Sequence, residues 1–158
     1  MTALSLSIVF LTRCLLIALF LPFSALDKML NTQQAIAQAG QVARPRALAS
    51  AMVVAGAAVE VTMSLAILSG VMDRLAALVL GAYCIVTALL WKRFWATRDF
   101  RLRGPSSGRE VFWDFLKNVA LAGAFLMLAF GYTAAGPREF LAHPFASTNP
   151  YRIVETVH

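Results

Sequence analysis

Two ionisable residues stand far inside apolar runs of this chain, and they are the first places to look for chemistry. Arg13 interrupts the run from Leu4 to Leu26, and Glu60 is the sole charge between Ala47 and Met72. A charge at mid-bilayer costs at least about 2.5–3.5 kcal/mol on insertion scales, so each asks for a partner or a purpose. Counted from Leu26 and from Ala47, both lie about 13 residues in, roughly 20 Å from the same surface at 1.5 Å per residue. Equal depth and opposite sign predict a buried Arg13–Glu60 ion pair. Such a pair either fixes helix register or forms a polar pocket that holds a ligand headgroup or handles a proton. Asp114, Lys117 and Asn118 open a further apolar run. Their spacing of three and four puts them on one helical face, suited to an anionic or quinone-like headgroup near the interface or, for Lys117, to plain snorkelling. The predicted ligand-binding set is therefore Arg13, Glu60, Lys117 and Asn118, and no residue is assigned a catalytic role.

Other chemistries find little support. Cys14 and Cys84 sit in apolar stretches without a CxxC pattern, which suits packing thiols better than a redox pair. His143 and His158 are isolated, so no metal site is expected. Without a haem-ligand pair, a flavin motif or a cysteine couple, the chain is not expected to store electrons itself, and no intrinsic cofactor is predicted.

The elements that must position these residues follow from composition. Of the 158 residues 59% are hydrophobic and 14% charged, against roughly 45–50% and about 25% in an ordinary soluble domain. Such a chain cannot cover its apolar surface with polar residues and needs a bilayer. Four stretches are long enough to span it as helices, about 4–26, 47–72, 75–95 and 112–134. Asp73-Arg74 reads as a tight connection that makes spans two and three an antiparallel hairpin. Between spans one and two, the segment before Gly40 favours a short interfacial helix. Ala47, Ala51 and Ala55 predict a small face for close helix packing on span two. The tail, 135–158, is broken by Pro137, Pro144 and Pro150. The expectation is all-α: one integral membrane domain over 1–158, an antiparallel four-helix bundle.

The net charge of +6 is not a nucleic-acid footprint, because the basic residues cluster in the short connections. Nine of them lie in 27–46 and 92–111, against Arg74, Arg138 and Arg152 on the other side. This asymmetry predicts that those two loops are cytoplasmic and both termini outside. Trp91, Trp95 and Trp113 flank the second basic loop at the expected headgroup level. A cleavable signal peptide is disfavoured, since no basic residue precedes Arg13 and Arg13 breaks the apolar run.

The run Gly40, Pro45, Leu48-Ala49, Gly56, Glu60, Leu68, Gly70 and Arg74-Leu75-Ala76-Ala77-Leu78 resembles the central signature of the DoxX family of small four-span membrane proteins. Arg13 with Leu15-Leu16, then Lys28, resembles the family's first span, and Phe94-Trp95 with Phe115-Leu116-Lys117-Asn118 its third loop and fourth span. Lys92 stands where relatives often carry a His, which puts any imidazole role there in doubt. The resemblance implies a four-helix membrane bundle in a bacterial-type inner membrane, with a redox association and polar positions at Arg13, Glu60, Lys117 and Asn118.

The leading expectation is a redox-associated inner-membrane protein that engages a quinone-type or lipid headgroup. It has the bilayer and a membrane redox complex as partners, and whether it is an enzyme is left open. The alternative is a non-catalytic accessory subunit docked on a larger membrane complex through its small-residue face and basic loop. A carrier or channel is weaker, because one buried pair offers little polar lining.

Overall fold

A computed structural model describes residues 3–152. Four helical runs are long and apolar enough to cross a membrane: Ala3–Leu30, Arg46–Ser69, Asp73–Ala96 and Ser107–Phe130. They form the expected all-α antiparallel bundle, a multi-span membrane protein set in a lipid bilayer. The end that carries the basic connections is called inner below.

The first run is bent. Helix α1 (Ala3–Ile17) passes through a wide helical turn, Leu19–Ser24, into α2 (Ala25–Leu30). The bend falls at Pro22, which has no N–H to give and disfavours helical geometry in the residue before it. Leu21 is accordingly extended, at φ −120° and ψ 112°. After Asn31 the chain continues as α3 (Thr32–Ala39), the short helix expected before Gly40. α3 packs along the inner half of α4 (Arg46–Ser69), where Ala39, Ala43 and Ala49 are buried with Ile36, Met52 and Val53 around them. The arm that begins at α1 therefore reaches its inner end near Ala39 rather than near Leu26.

α4 ends at Gly70, whose φ of +77° is a left-handed conformation that glycine adopts without strain. The turn to α5 (Asp73–Trp91) is made by Gly70, Val71 and Met72. Asp73-Arg74 is thus the first turn of α5 rather than the connection, and Asp73 is fully buried. The predicted Ala47-Ala51-Ala55 packing face is also corrected, since all three are exposed. α3 docks on the side marked by Ala49, two residues and about 200° round the helix from Ala47.

α6 (Ser107–Phe130) begins five residues before the predicted Phe112 because its N-terminus is built from the loop. The Ser106 hydroxyl accepts from the Arg109 N–H at 3.1 Å. The Asp99 carboxylate accepts from the N–H groups of Ser107 and Gly108 at 2.8 and 3.1 Å, satisfying donors a helix start leaves free. Ser106→Ala is expected to cost about 1 kcal/mol, read as a lower midpoint in thermal unfolding in detergent. The Ser107 hydroxyl, also bonded to Asp99 at 2.8 Å, and then the two N–H groups hold the Asp99 carboxyl below the usual carboxylate range. Its contribution is complete above about pH 4, the ordinary Asp value, and is lost as pH falls through the lowered native value. Protection of the Ser107 and Gly108 amides, measured against their intrinsic exchange rates, should therefore fall at acid pH in the wild type and show little such change in Asp99→Asn.

The main core joins α1, α4, α5 and α6 through Ile17, Ile67, Leu80, Cys84 and Phe125. At the outer end the tail packs. Phe140 of α7 (Gly136–Ala142) is buried edge-on against Phe130 at 5.3 Å, and Arg74 lies over its ring while donating to the Ala129 carbonyl at 2.8 Å. Further along, the Ser147 hydroxyl donates to the Gly70 carbonyl and the Tyr151 hydroxyl to the Leu68 carbonyl. His143 is exposed just past α7, and His158 lies outside the described residues.

Candidate functional site

The expected Arg13–Glu60 pair does not form. Arg13 reaches outward, where one guanidinium nitrogen donates to the Ile67 carbonyl at 2.5 Å. The other donates to Asp73 Oδ2 and to Thr148 Oγ1, each at 2.7 Å. Thr148 then closes the ring, its N–H donating to Asp73 Oδ1 at 2.8 Å and its hydroxyl to Asp73 Oδ2. Depth explains the correction. Measured from Ala39, the inner end of the arm, Arg13 is about 26 residues away rather than about 13, so it lies level with the α4–α5 turn and not with Glu60.

Glu60 is paired with Lys28 instead. The Lys28 ammonium donates to both Glu60 oxygens at 2.7 and 2.8 Å and to the Ser24 hydroxyl at 2.6 Å, while Ser24 donates to Glu60 Oε1 at 3.1 Å. Ser24 and Lys28 are four apart on the arm just past the bend, so they present one face to α4. Glu60 is only 2% exposed. Lys28 was counted among the loop residues, and its removal leaves eight basic residues in the two inner connections, against the same three outside.

The Lys28–Glu60 pair lines a cavity of about 1210 Å³ between the arm, α4, α5 and α6. α6 packs chiefly on α5 and meets the first arm at α1, so its inner half stands away from α2 and α3 and leaves this space. The deep wall is apolar, with Phe20, Val59 and Leu121. Tyr83 closes it from α5 beside Gly56, where an added Cβ would lie 3.1 Å from the phenol oxygen. The missing side chain at Gly56 is what lets the phenol approach.

Nearer the mouth, Asp114, Lys117 and Asn118 share one face as predicted, and all three line the same cavity. Asp114 takes an ion pair from Lys92 at 3.0 Å and one from Lys117 at 3.4 Å, and its carbonyl accepts from the Asn118 amide at 2.9 Å. Three of the four predicted site residues, Glu60, Lys117 and Asn118, thus face one cavity, while Arg13 belongs to a separate outer cluster. Lys28, Tyr83 and Lys92 were missed as site residues. The signal that could have found Lys28 is its spacing from Ser24 together with the requirement that Glu60 have a cationic partner.

The pattern that defines the DoxX family matches residues 8–93, more than half of the chain. This protein belongs to the DoxX family. No curated protein and no solved structure matches it. The DoxX match covers the arm from Ile8 onward, α4 and α5, and so includes Arg13, Lys28, Glu60 and Asp73, the members of the two ion pairs that hold the buried carboxylates. It stops before α6, so Asp114, Lys117 and Asn118 at the mouth of this DoxX protein lie beyond the matched segment, while Lys92 lies within it. Lys117 is 76% exposed, and Lys117→Gln is expected to change stability by no more than about 0.5 kcal/mol, as a thermal midpoint would show.

Proposed function

We propose that this DoxX protein binds the headgroup of a quinone-type or lipid ligand in its inner cavity, within a redox-associated pathway of a bacterial-type inner membrane. The observation that carries the reading is the buried Glu60, ion-paired to Lys28, set beside the apolar deep wall of a cavity of about 1210 Å³. Ligand pockets are largely apolar with a few placed polar groups, and an intramembrane ionisable residue marks a functional site by default. Three lysines, Lys28, Lys92 and Lys117, and three carboxylates, Asp27, Glu60 and Asp114, line the space. That balance suits a neutral, carbonyl-bearing headgroup better than a strongly anionic one. Tyr83 can donate to a carbonyl, Lys28 holds the Glu60 carboxylate in the wall, and the apolar wall has room for a tail. A quinone would supply two-electron, two-proton chemistry, with electrons exchanged with a partner.

Trp91 lines the mouth, so binding is readable by tryptophan quenching with a short-tailed benzoquinone in detergent. Saturable quenching is expected in the wild type and its loss in Ala55→Phe, which fills the cavity from an exposed position. Non-saturable quenching that is equal in both would contradict the reading. The orientation proposed has 27–46 and 92–111 cytoplasmic, supported by the eight basic residues that remain on that side. A reporter fused into 92–111 that is active only outside would contradict it.

A second reading, a non-catalytic accessory subunit of a larger membrane complex, is favoured by Ala47 and Ala51, small exposed residues on α4 that leave room for another helix.

A further inference from the structure

The connection between α5 and α6 is folded rather than slack. A short turn, Phe94–Ala96, starts it, and Phe94 stacks edge-on against Trp95, Phe112 and Phe115 at 5.0–5.5 Å. Phe100 joins the same cluster at 5.5 Å from Phe94. On the polar side, the Ser106 hydroxyl donates to the Asp99 carbonyl at 2.6 Å and accepts from the Arg101 N–H at 3.2 Å. The Arg109 guanidinium donates to the Leu102 carbonyl at 3.3 Å. Asp99, the acid nearest the loop's centre, spends its carboxylate on the start of α6.

This internal use of the acid has a consequence for the arginines. Arg93, Arg98, Arg101 and Arg103 are all exposed, and none takes part in a salt bridge among the described residues. Beside them stand exposed apolar side chains, Trp95 at 52%, Leu102 at 71% and Trp113 at 52%. Exposed guanidiniums on a folded backbone that also presents exposed indoles and a leucine match a surface that is anionic at one level and apolar just beneath it.

We propose that residues 93–113 form a preorganised site for acidic phospholipids of the leaflet at the inner end, with the guanidiniums of Arg98, Arg101 and Arg103 on the phosphates and Trp95, Leu102 and Trp113 seated among the glycerol and upper acyl groups. Charge complementarity selects the occupant. No loop residue lies more than about eight residues from a span end, so the arginines remain within reach of the headgroups, where a positive side chain is attracted over about a Debye length. Arginine is suited to the task because its planar fork binds phosphate oxygens bidentately and it is weakly hydrated. The site is separate from the cavity and does not depend on what the cavity binds.

The test uses the full chain in nanodiscs of phosphatidylcholine mixed with phosphatidylglycerol, with the lipids that stay on the protein after gentle release counted by native mass spectrometry. The wild type is expected to retain phosphatidylglycerol over phosphatidylcholine, and the R98Q/R101Q/R103Q variant to lose that preference by about tenfold or more, since each basic residue near an anionic surface contributes roughly fivefold. The R98K/R101K/R103K variant should keep part of it, and Ala55→Phe all of it. Should the glutamine variant fail to fold, a salt series on the wild type still decides, because the preference must fall as salt rises. Equal retention of both lipids by the wild type, or a preference indifferent to salt, would overturn the proposal. So would a stoichiometric protein partner lost in the glutamine variant without any lipid preference, which would make the loop a docking surface.

Discussion

Replacing Arg13 by Met is expected to destabilise the protein by about 3–5 kcal/mol, because the substitution leaves the Asp73 carboxylate buried without its counter-charge. Thermal unfolding in a mild detergent, followed by size-exclusion chromatography, would measure it. The cost comes mainly from the orphaned charge rather than from any large net worth of the pair, so R13M/D73L should recover much of the loss. A double-mutant cycle separates this account from the pairing that simple depth counting suggests. Coupling of about 0.5–3 kcal/mol is expected between Arg13 and Asp73 and close to none between Arg13 and Glu60, which are held by different partners. Thr148 belongs to the same cluster, so Thr148→Val should lose the hydroxyl's hydrogen bond to Asp73 and the one it accepts from Arg13, while the backbone N–H keeps its bond to Asp73.

The second large effect concerns Lys28 and Glu60. Lys28→Met strands a carboxylate that is 2% exposed and is expected to cost about 3–5 kcal/mol. Glu60→Gln is milder for the fold, because the amide can still accept from Lys28 and Ser24. Its larger effect should fall on ligand binding, where a lost charged hydrogen-bond partner is worth about 1.5–3 kcal/mol, or roughly ten- to a hundredfold in affinity. Comparing the two variants by both melting and quinone titration distinguishes a pair that merely braces the helices from one that also serves a ligand. A brace predicts loss of stability in step with loss of binding. A binding site predicts that Glu60→Gln loses binding while it melts near the wild-type temperature.

The residues show why the fold was more legible than the site. Apolar length alone exposes the four crossings, and charges inside them mark Arg13 and Glu60 as needing partners, because hydrocarbon penalises both. Partner choice depends on depth, and the apolar run ends at Leu26 while the arm itself does not. The bend at Pro22 and the continuation through α3 carry the arm to Ala39. Asp73 was hidden for a different reason. Next to Arg74 it looks like loop punctuation, and its partners, Arg13 and Thr148, lie 60 and 75 residues away in sequence. Nothing periodic in the tail announces that Thr148 will return to the bundle. The Asp114, Lys117 and Asn118 face was legible because helical spacing is local, whereas Lys92 joins it only through the α5–α6 contact. The early start of α6 rests on Ser106 and Asp99, a capping arrangement that comes from the loop's fold as well as its composition.

On the proposed function, the inner cavity holds an amphiphile whose headgroup meets the Lys28–Glu60 pair. Native mass spectrometry of the protein extracted from its membrane in the mildest detergent that keeps it intact tests this most directly, with wild type and Glu60→Gln side by side. A quinone or lipid is expected on the wild type and should be lost from Glu60→Gln. A small molecule retained equally by both, or a stoichiometric protein partner with no small ligand, would contradict it and return Glu60 to a bracing role.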